Sequence, residues 1–150
     1  MTNLSIQEFA DKLDKIMSVI IKEFSRRQTN ELYKGEITLP QFLVLEFLRA
    51  DGELKMKDLA SNMHVSTAAM TGIVDRLVRD GYVVRSPDAK DRRIIKIKLV
   101  EKGSQIVKKI IKERRQMIIR IFGKISGGER RDYLNILTHI KDVLQKENAG

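Results

Sequence analysis

Residues 55–81 read KMKDLASNMHVSTAAMTGIVDRLVRDG, and this stretch decides the fold. A short helical segment, about residues 55–62, is broken by Met63-His64-Val65. Ser66 then offers a side-chain oxygen to the free N–H groups of a second helix. That helix sets Met70, Ile73, Val74, Leu77 and Val78 on one face, the spacing of a stripe packed on a core. Asp80-Gly81 ends it, the glycine supplying a left-handed closing residue. Short helix, tight turn and capped second helix form a helix-turn-helix pattern. The opposite face holds Thr67, Ala68, Thr71, Gly72, Asp75, Arg76 and Arg79. Its first turns carry only small residues, which let a helix backbone lie deep in a major groove. Threonine bonds phosphates or base edges there, and alanine or threonine methyls touch the thymine methyl. The free N–H groups at the Ser66 end favour a phosphate. The plainer alternative is a packed helix with a solvated side.

The texture changes at Tyr82. Residues 82–86, YVVRS, read as a strand, and Pro87-Asp88 opens a turn. From Arg93 the residues alternate, with Ile95, Ile97 and Leu99 on one face and Ile94, Lys96 and Lys98 on the other. Period two means a strand, so residues 82–99 form a hairpin with a charged tip. Arg85, Lys90, Arg92 and Arg93 surround that tip. Beside a groove-reading helix, a basic hairpin reaches the flanking minor groove or backbone, and narrow A·T minor grooves attract arginine. Asp91, two residues from Arg93, is placed to hold its guanidinium in one direction. Lys96 is a candidate phosphate contact. Alone, such a tip would read as a solvated turn with surface ion pairs. After a helix-turn-helix it reads as a DNA-binding wing.

Outward from this centre the chain is helical. Ile6, Phe9, Leu13, Ile16, Ile20 and Phe24 recur at steps of three and four, predicting a helix over 6–30. Thr38-x-x-Gln41 is a capping box with Pro40 in the first turn, opening a helix that stops at Asp51-Gly52. Helix period returns at residue 101, with Val107, Ile110, Ile111, Met117, Ile118, Ile121, Phe122 and Ile125 on one side. Ser126-Gly-Gly-Glu129 is a second capping box, and Tyr133, Leu134, Leu137, Ile140 and Leu144 form the buried stripe expected of the last helix. The fold class is therefore mainly α with a small β-hairpin wing. The stripes of the long terminal helices are too wide to cover one another, and an apolar stripe must be buried somewhere. Residues 1–37 and 101–150 are thus expected to build a homodimerisation region, and residues 38–100 a compact winged helix-turn-helix lobe.

Charge supports the same partner. The 150-residue chain carries a net +9, yet residues 85–124 alone hold 14 basic and four acidic groups. Residues 1–37 are balanced at six of each. A localised basic block suits a polyanion, with double-stranded DNA ahead of a membrane surface. The chain has no cysteine, which excludes disulfides, thiolate metal sites and cysteine nucleophiles. No apolar run is long enough to span a membrane, and the polar N-terminus is unlike a signal peptide, so a cytoplasmic protein is expected. The two histidines, His64 and His139, are far apart and have no neighbouring nucleophile. Catalysis needs a nucleophile with a base, paired carboxylates or a metal, and a zinc site needs three or four converging ligands. No enzyme, metal or cofactor is expected.

The run from Thr38 to Gly103 resembles the MarR family of transcriptional regulators. The matching pieces are LPQFLVLEFL, KDLASNMHVSTAAMTGIVDRLVRDGYVVR and DRRIIKIKLVEKG. The last resembles the family's wing signature, falling on Asp91, Arg93, Leu99 and Gly103. The resemblance implies a homodimer whose helix after Ser66 reads the major groove and whose wing arginine enters the minor groove. It also implies release from DNA by a small aromatic or lipophilic effector. A pocket is expected where the N-terminal helix and residues 38–50 approach the top of the helix beginning at 101. Peroxide-sensing members use a cysteine that this chain lacks. The candidate DNA contacts are Ser66, Thr67, Ala68, Thr71 and Arg76 on the helix, with Arg85, Lys90, Asp91, Arg92, Arg93 and Lys96 on the wing. A ligand-released repressor on a pseudo-palindromic operator is the function expected. The alternative is a helical protein-interaction adaptor, or a nonspecific DNA-binding protein with a vestigial effector pocket.

Overall fold

The structure is a computed structural model that describes residues 3–31 and 35–150, with the side chains of residues 28–31 left aside. In chain order the elements are α1 (Ile6–Glu31), α2 (Leu39–Asp51), β1 (Leu54–Lys55), α3 (Met56–Asn62) and α4 (Thr67–Arg79). They continue as β2 (Val83–Pro87), β3 (Ile95–Leu99), α5 (Glu101–Phe122) and α6 (Gly127–Asn148). Two compact units divide the chain, Met1–Ile111 and Lys112–Gly150. The connector expected at residues 31–37 lies partly outside the described residues.

In the first unit, the ends expected at Thr38, Gly52, Ser66 and Gly81 are closed by those residues. Thr38 Oγ1 accepts from Gln41 N, and the Gln41 side chain accepts from Thr38 N at 2.8 Å. Gly52 closes α2 at φ +79°. The C-terminal ends of α3 and α4 are both Schellman closures, in which the two N–H groups beyond a helix bond back to its orphan carbonyls. After α3, His64 N donates to Ser61 O and Val65 N to Ala60 O. After α4, Gly81 N donates to Val78 O and Tyr82 N to Leu77 O. His64 takes φ +53° in the first and Gly81 φ +80° in the second.

The core of this unit gathers Phe42, Leu45 and Leu48 of α2, Leu59 of α3, and Met70, Val74 and Leu77 of α4, with Val83 and Ile97 from the hairpin. Ile106, Val107 and Ile110 of α5 belong to the same core. The lobe's packing therefore runs past residue 100, because the first turns of α5 supply an apolar face to it. The hairpin pairs Val83 with Leu99, Arg85 with Ile97 and Pro87 with Ile95. A third strand was not expected: β1 pairs Leu54 with Ile97 and Lys55 with Lys96, giving the sheet order β1-β3-β2. Two residues are too short to show an alternation.

In the second unit, α5 stops at Phe122 rather than near 125. Ser126 Oγ accepts from Glu129 N while Glu129 Oε2 accepts from Ser126 N at 2.8 Å, so the second capping box also forms. Arg130 donates to the carbonyls of Phe122 and Ile125, and the Phe122 and Tyr133 rings stack with centroids 5.5 Å apart. The terminal stripes are uncovered in the single chain, consistent with their being too wide to cover one another. Tyr133, Leu134, Leu137, Ile140 and Leu144 of α6 are exposed, not buried. Ile6, Phe9, Leu13, Ile16 and Ile20 of α1 are exposed as well. Their spacing is that of core stripes, but this chain does not supply the surface that covers them.

Candidate nucleic-acid interface

The N-terminal half of α4 presents a small, open face. Ser66 Oγ accepts from Ala69 N at 3.1 Å, which closes one of the helix's orphan donors. Ser66, Thr67, Ala68 and Thr71 are all exposed, because Met70, Val74 and Leu77 turn the other face into the core. Thr71 Oγ1 donates to Thr67 O at 2.9 Å. Its hydroxyl proton is thereby committed to the backbone, leaving a methyl and an acceptor oxygen outward. Arg76 is exposed further along the helix.

The wing sorts its charges into braced groups. Arg93 donates from Nε to Asp91 Oδ1 and from Nη2 to Asp91 Oδ2, each at 3.0 Å, and its own N–H bonds Asp91 Oδ1 at 3.1 Å. These bonds from Arg93 hold the Asp91 carboxyl below the ordinary aspartate range, the side-chain bond acting most. The guanidinium is held yet 91% exposed at the tip. The fork predicted from their spacing is thus present, and it leaves the charge open to a ligand.

Asp88 folds the turn. It accepts from Lys90 N at 2.7 Å and from Asp91 N, and pairs with Lys96 Nζ at 3.3 Å. The Lys90 N–H, then Lys96, pull its carboxyl below the ordinary range. Lys90 and Arg92 stand exposed at the tip. Lys96 does not join them: it is half-buried, engaged with Asp88. Arg85 is also engaged, its Nη2 donating to Asp75 Oδ1 of α4.

Asp75 was placed on the outer face of the helix but its pairing with Arg85 was not foreseen, nor was the pairing of Asp88 with Lys96. Strand parity carried the signal for Arg85, which shares its face with Val83, while Asp88 read only as a turn former. Lys102 was missed. Its Nζ donates to Asp80 O at 2.6 Å and lies 4.7 Å from the centre of the Tyr82 ring, tying the end of α4 to α5. At the same junction Gly103 packs directly on the backbone of Tyr82.

A helix-turn-helix followed by a hairpin with an extended basic tip, the hairpin completed to three strands by β1, defines a winged-helix protein. The family model described as MarR family matches residues 37–95. The uncharacterised HTH-type transcriptional regulator YfiV of Bacillus subtilis (strain 168) is 31% identical over 121 residues, covering 79% of this chain and 76% of that protein. A MarR family protein from Bacillus stearothermophilus superposes with a TM-score of 0.82 at 26% identity, over 94% of this chain and 99% of that one. A mutant MarR from E. coli complexed with operator DNA shares the fold, with a TM-score of 0.68 at 22% identity over 91% and 98% of the two chains. This chain belongs to the MarR family of winged-helix transcriptional regulators.

Proposed function

We propose that the protein is a homodimeric repressor that binds a pseudo-palindromic DNA operator and leaves it when a small aromatic or lipophilic effector binds. The supporting observation is that two candidate readers are both exposed on the lobe. The small face of α4, Thr67, Ala68 and Thr71, suits the major groove, and Arg93, braced by Asp91, suits a flanking minor groove. Ser66, Arg76, Lys90 and Arg92 supply backbone contacts around them. A DNA-bound regulator works in the cytoplasm, and among the described residues no helix is long and apolar enough to cross a membrane.

The dimer is supported by the bare stripes. Nine large apolar residues of α1 and its approach, from Leu4 to Ile21, are exposed, as are seven on α6 from Tyr133 to Leu144. Exposed apolar area of this extent marks an association surface. Residues 1–37 together with the helices from 101 onward are the parts assigned to it. In the second unit, Ile118, Phe122, Tyr133 and Leu134 line an almost wholly apolar groove of about 290 Å³, rimmed by Arg130. For the effector, the outer face of α2 carries an open concavity lined by Leu43, Glu46, Phe47, Arg49 and Ala50.

The test is selection of duplexes from a random pool, then binding of the enriched duplex at several salt concentrations. Enrichment of a two-fold motif with half-sites about one helical turn apart supports the proposal. With roughly 6–10 phosphates neutralised, affinity falls about 10³–10⁵-fold between 50 and 200 mM salt. No enrichment and a flat salt response would remove it.

A further inference from the structure

Asp75 is the only acidic residue in α4, and it stands on the surface proposed to meet DNA. Thr67, Thr71 and Asp75 follow one another at intervals of four, so the carboxylate lies one turn beyond Thr71 on the same row. A negative charge there opposes an approaching duplex unless something neutralises or uses it. Arg85 does so, its guanidinium bonding the Asp75 carboxylate from β2.

The register explains why Arg85 reaches inward. Cross-strand partners share a sheet face, and Arg85 is paired with Ile97, which is fully buried. Val83, two residues earlier on the same face, is also buried. Arg85 thus occupies an inward position at the rim of the core. Its side chain is 35% exposed and its head bonds the Asp75 carboxylate of α4. It is the position, not the charge, that separates Arg85 from Lys90, Arg92 and Arg93.

We propose that Asp75 is a positioning residue for DNA recognition: its bond to Arg85 struts the wing against the recognition helix, so that both readers meet one duplex as a fixed pair. Arg85 is then a brace and not a phosphate contact. This rests on the DNA reading above. An exposed ion pair adds little to folding stability, so the strut is expected to act on binding far more than on the melt.

The experiment uses the full chain, the duplex that wild-type protein enriches from a random pool, and a random-sequence duplex. Asp75→Asn and Arg85→Gln should each weaken binding to the enriched duplex roughly tenfold, within the range for directly contacting residues. Binding to random duplex should hold, and the melting temperature should shift by no more than a few degrees. Arg85→Gln should leave the salt slope unchanged, whereas loss of a phosphate contact lowers it by about one. Exchanging the charges, Asp75→Arg with Arg85→Asp, should recover most of the lost affinity.

Tighter or equal binding by Asp75→Asn overturns the strut and makes Asp75 a plain electrostatic penalty. A changed preference at a single base pair overturns it too, because a carboxylate that accepts from cytosine N4 is a direct reader. A lowered salt slope for Arg85→Gln returns that residue to the phosphate contacts. Loss of both kinds of binding together with a large drop in melting temperature marks a folding role instead. If wild-type protein enriches no duplex, the DNA reading fails first and the strut with it.

Discussion

A methyl group at position 103 would lie 2.1 Å from the Tyr82 carbonyl oxygen and 2.8 Å from Leu99 Cδ2. Glycine is otherwise a poor choice inside a helix, so contact explains its place in the first turn of α5. Gly103→Ala is expected to destabilise the lobe by about 1–3 kcal/mol, the usual range for overpacking, and a urea melt measures it. An unchanged midpoint would mean that α5 shifts freely against β2. At this scale the sequence was legible where residue and role are tied by local geometry. Thr38, Ser66, Gly81 and Ser126 are examples, each acting within a few residues of itself. Arg85 and Lys96 were not, since their partners Asp75 and Asp88 depend on which way a strand faces and how a turn folds. His64 showed in sequence only as part of a break, yet it carries the left-handed closing residue of α3.

The wing as an element poses a sharper question. Asp91 carries the wrong charge for a DNA-facing tip, yet it grips Arg93 through two side-chain bonds. Arg93→Ala should reduce operator affinity by about 1–3 kcal/mol. Asp91→Ala should also weaken binding, although simple electrostatics gives the opposite sign. Because Asp91 acts through Arg93, the double variant should lose less than the sum of the two. Affinities of wild type, both singles and the double at one salt concentration check this, and tighter binding by Asp91→Ala would leave the wing a generic basic loop. Helix-turn-helix and hairpin were legible because periods of 3.6 and two, punctuated by Ser66, Gly81 and Pro87, mark their own ends. β1 was not legible, because its two residues are a strand only by virtue of β3 beside them.

For the whole molecule, the stripes of α1 and α6 were legible as apolar faces too wide to cover one another, and in the single chain both are exposed. Periodicity tells which side of a helix avoids water, and it is silent on whose atoms do the covering. Light scattering at micromolar concentration is expected to give twice the 17.3 kDa chain mass. Leu134, 62% exposed in the single chain, should tolerate aspartate if it faces water and should drive the mass toward one chain if a partner covers it. The account predicts the second result for Leu134→Asp. The central claim is that α4 reads sequence through its small outer face, and Thr71 stands at the middle of that face. The most direct measurement is the affinity of wild type and Thr71→Leu for the enriched duplex and for random duplex at one fixed salt concentration. A bulky apolar side chain there removes the acceptor oxygen and holds the helix out of the groove, while the basic wing and helix end still grip phosphates. Thr71→Leu should therefore lose its preference for the enriched duplex and keep the weak binding to random sequence. Full preference retained by Thr71→Leu would contradict the account, because the helix would then meet DNA by another face or not at all.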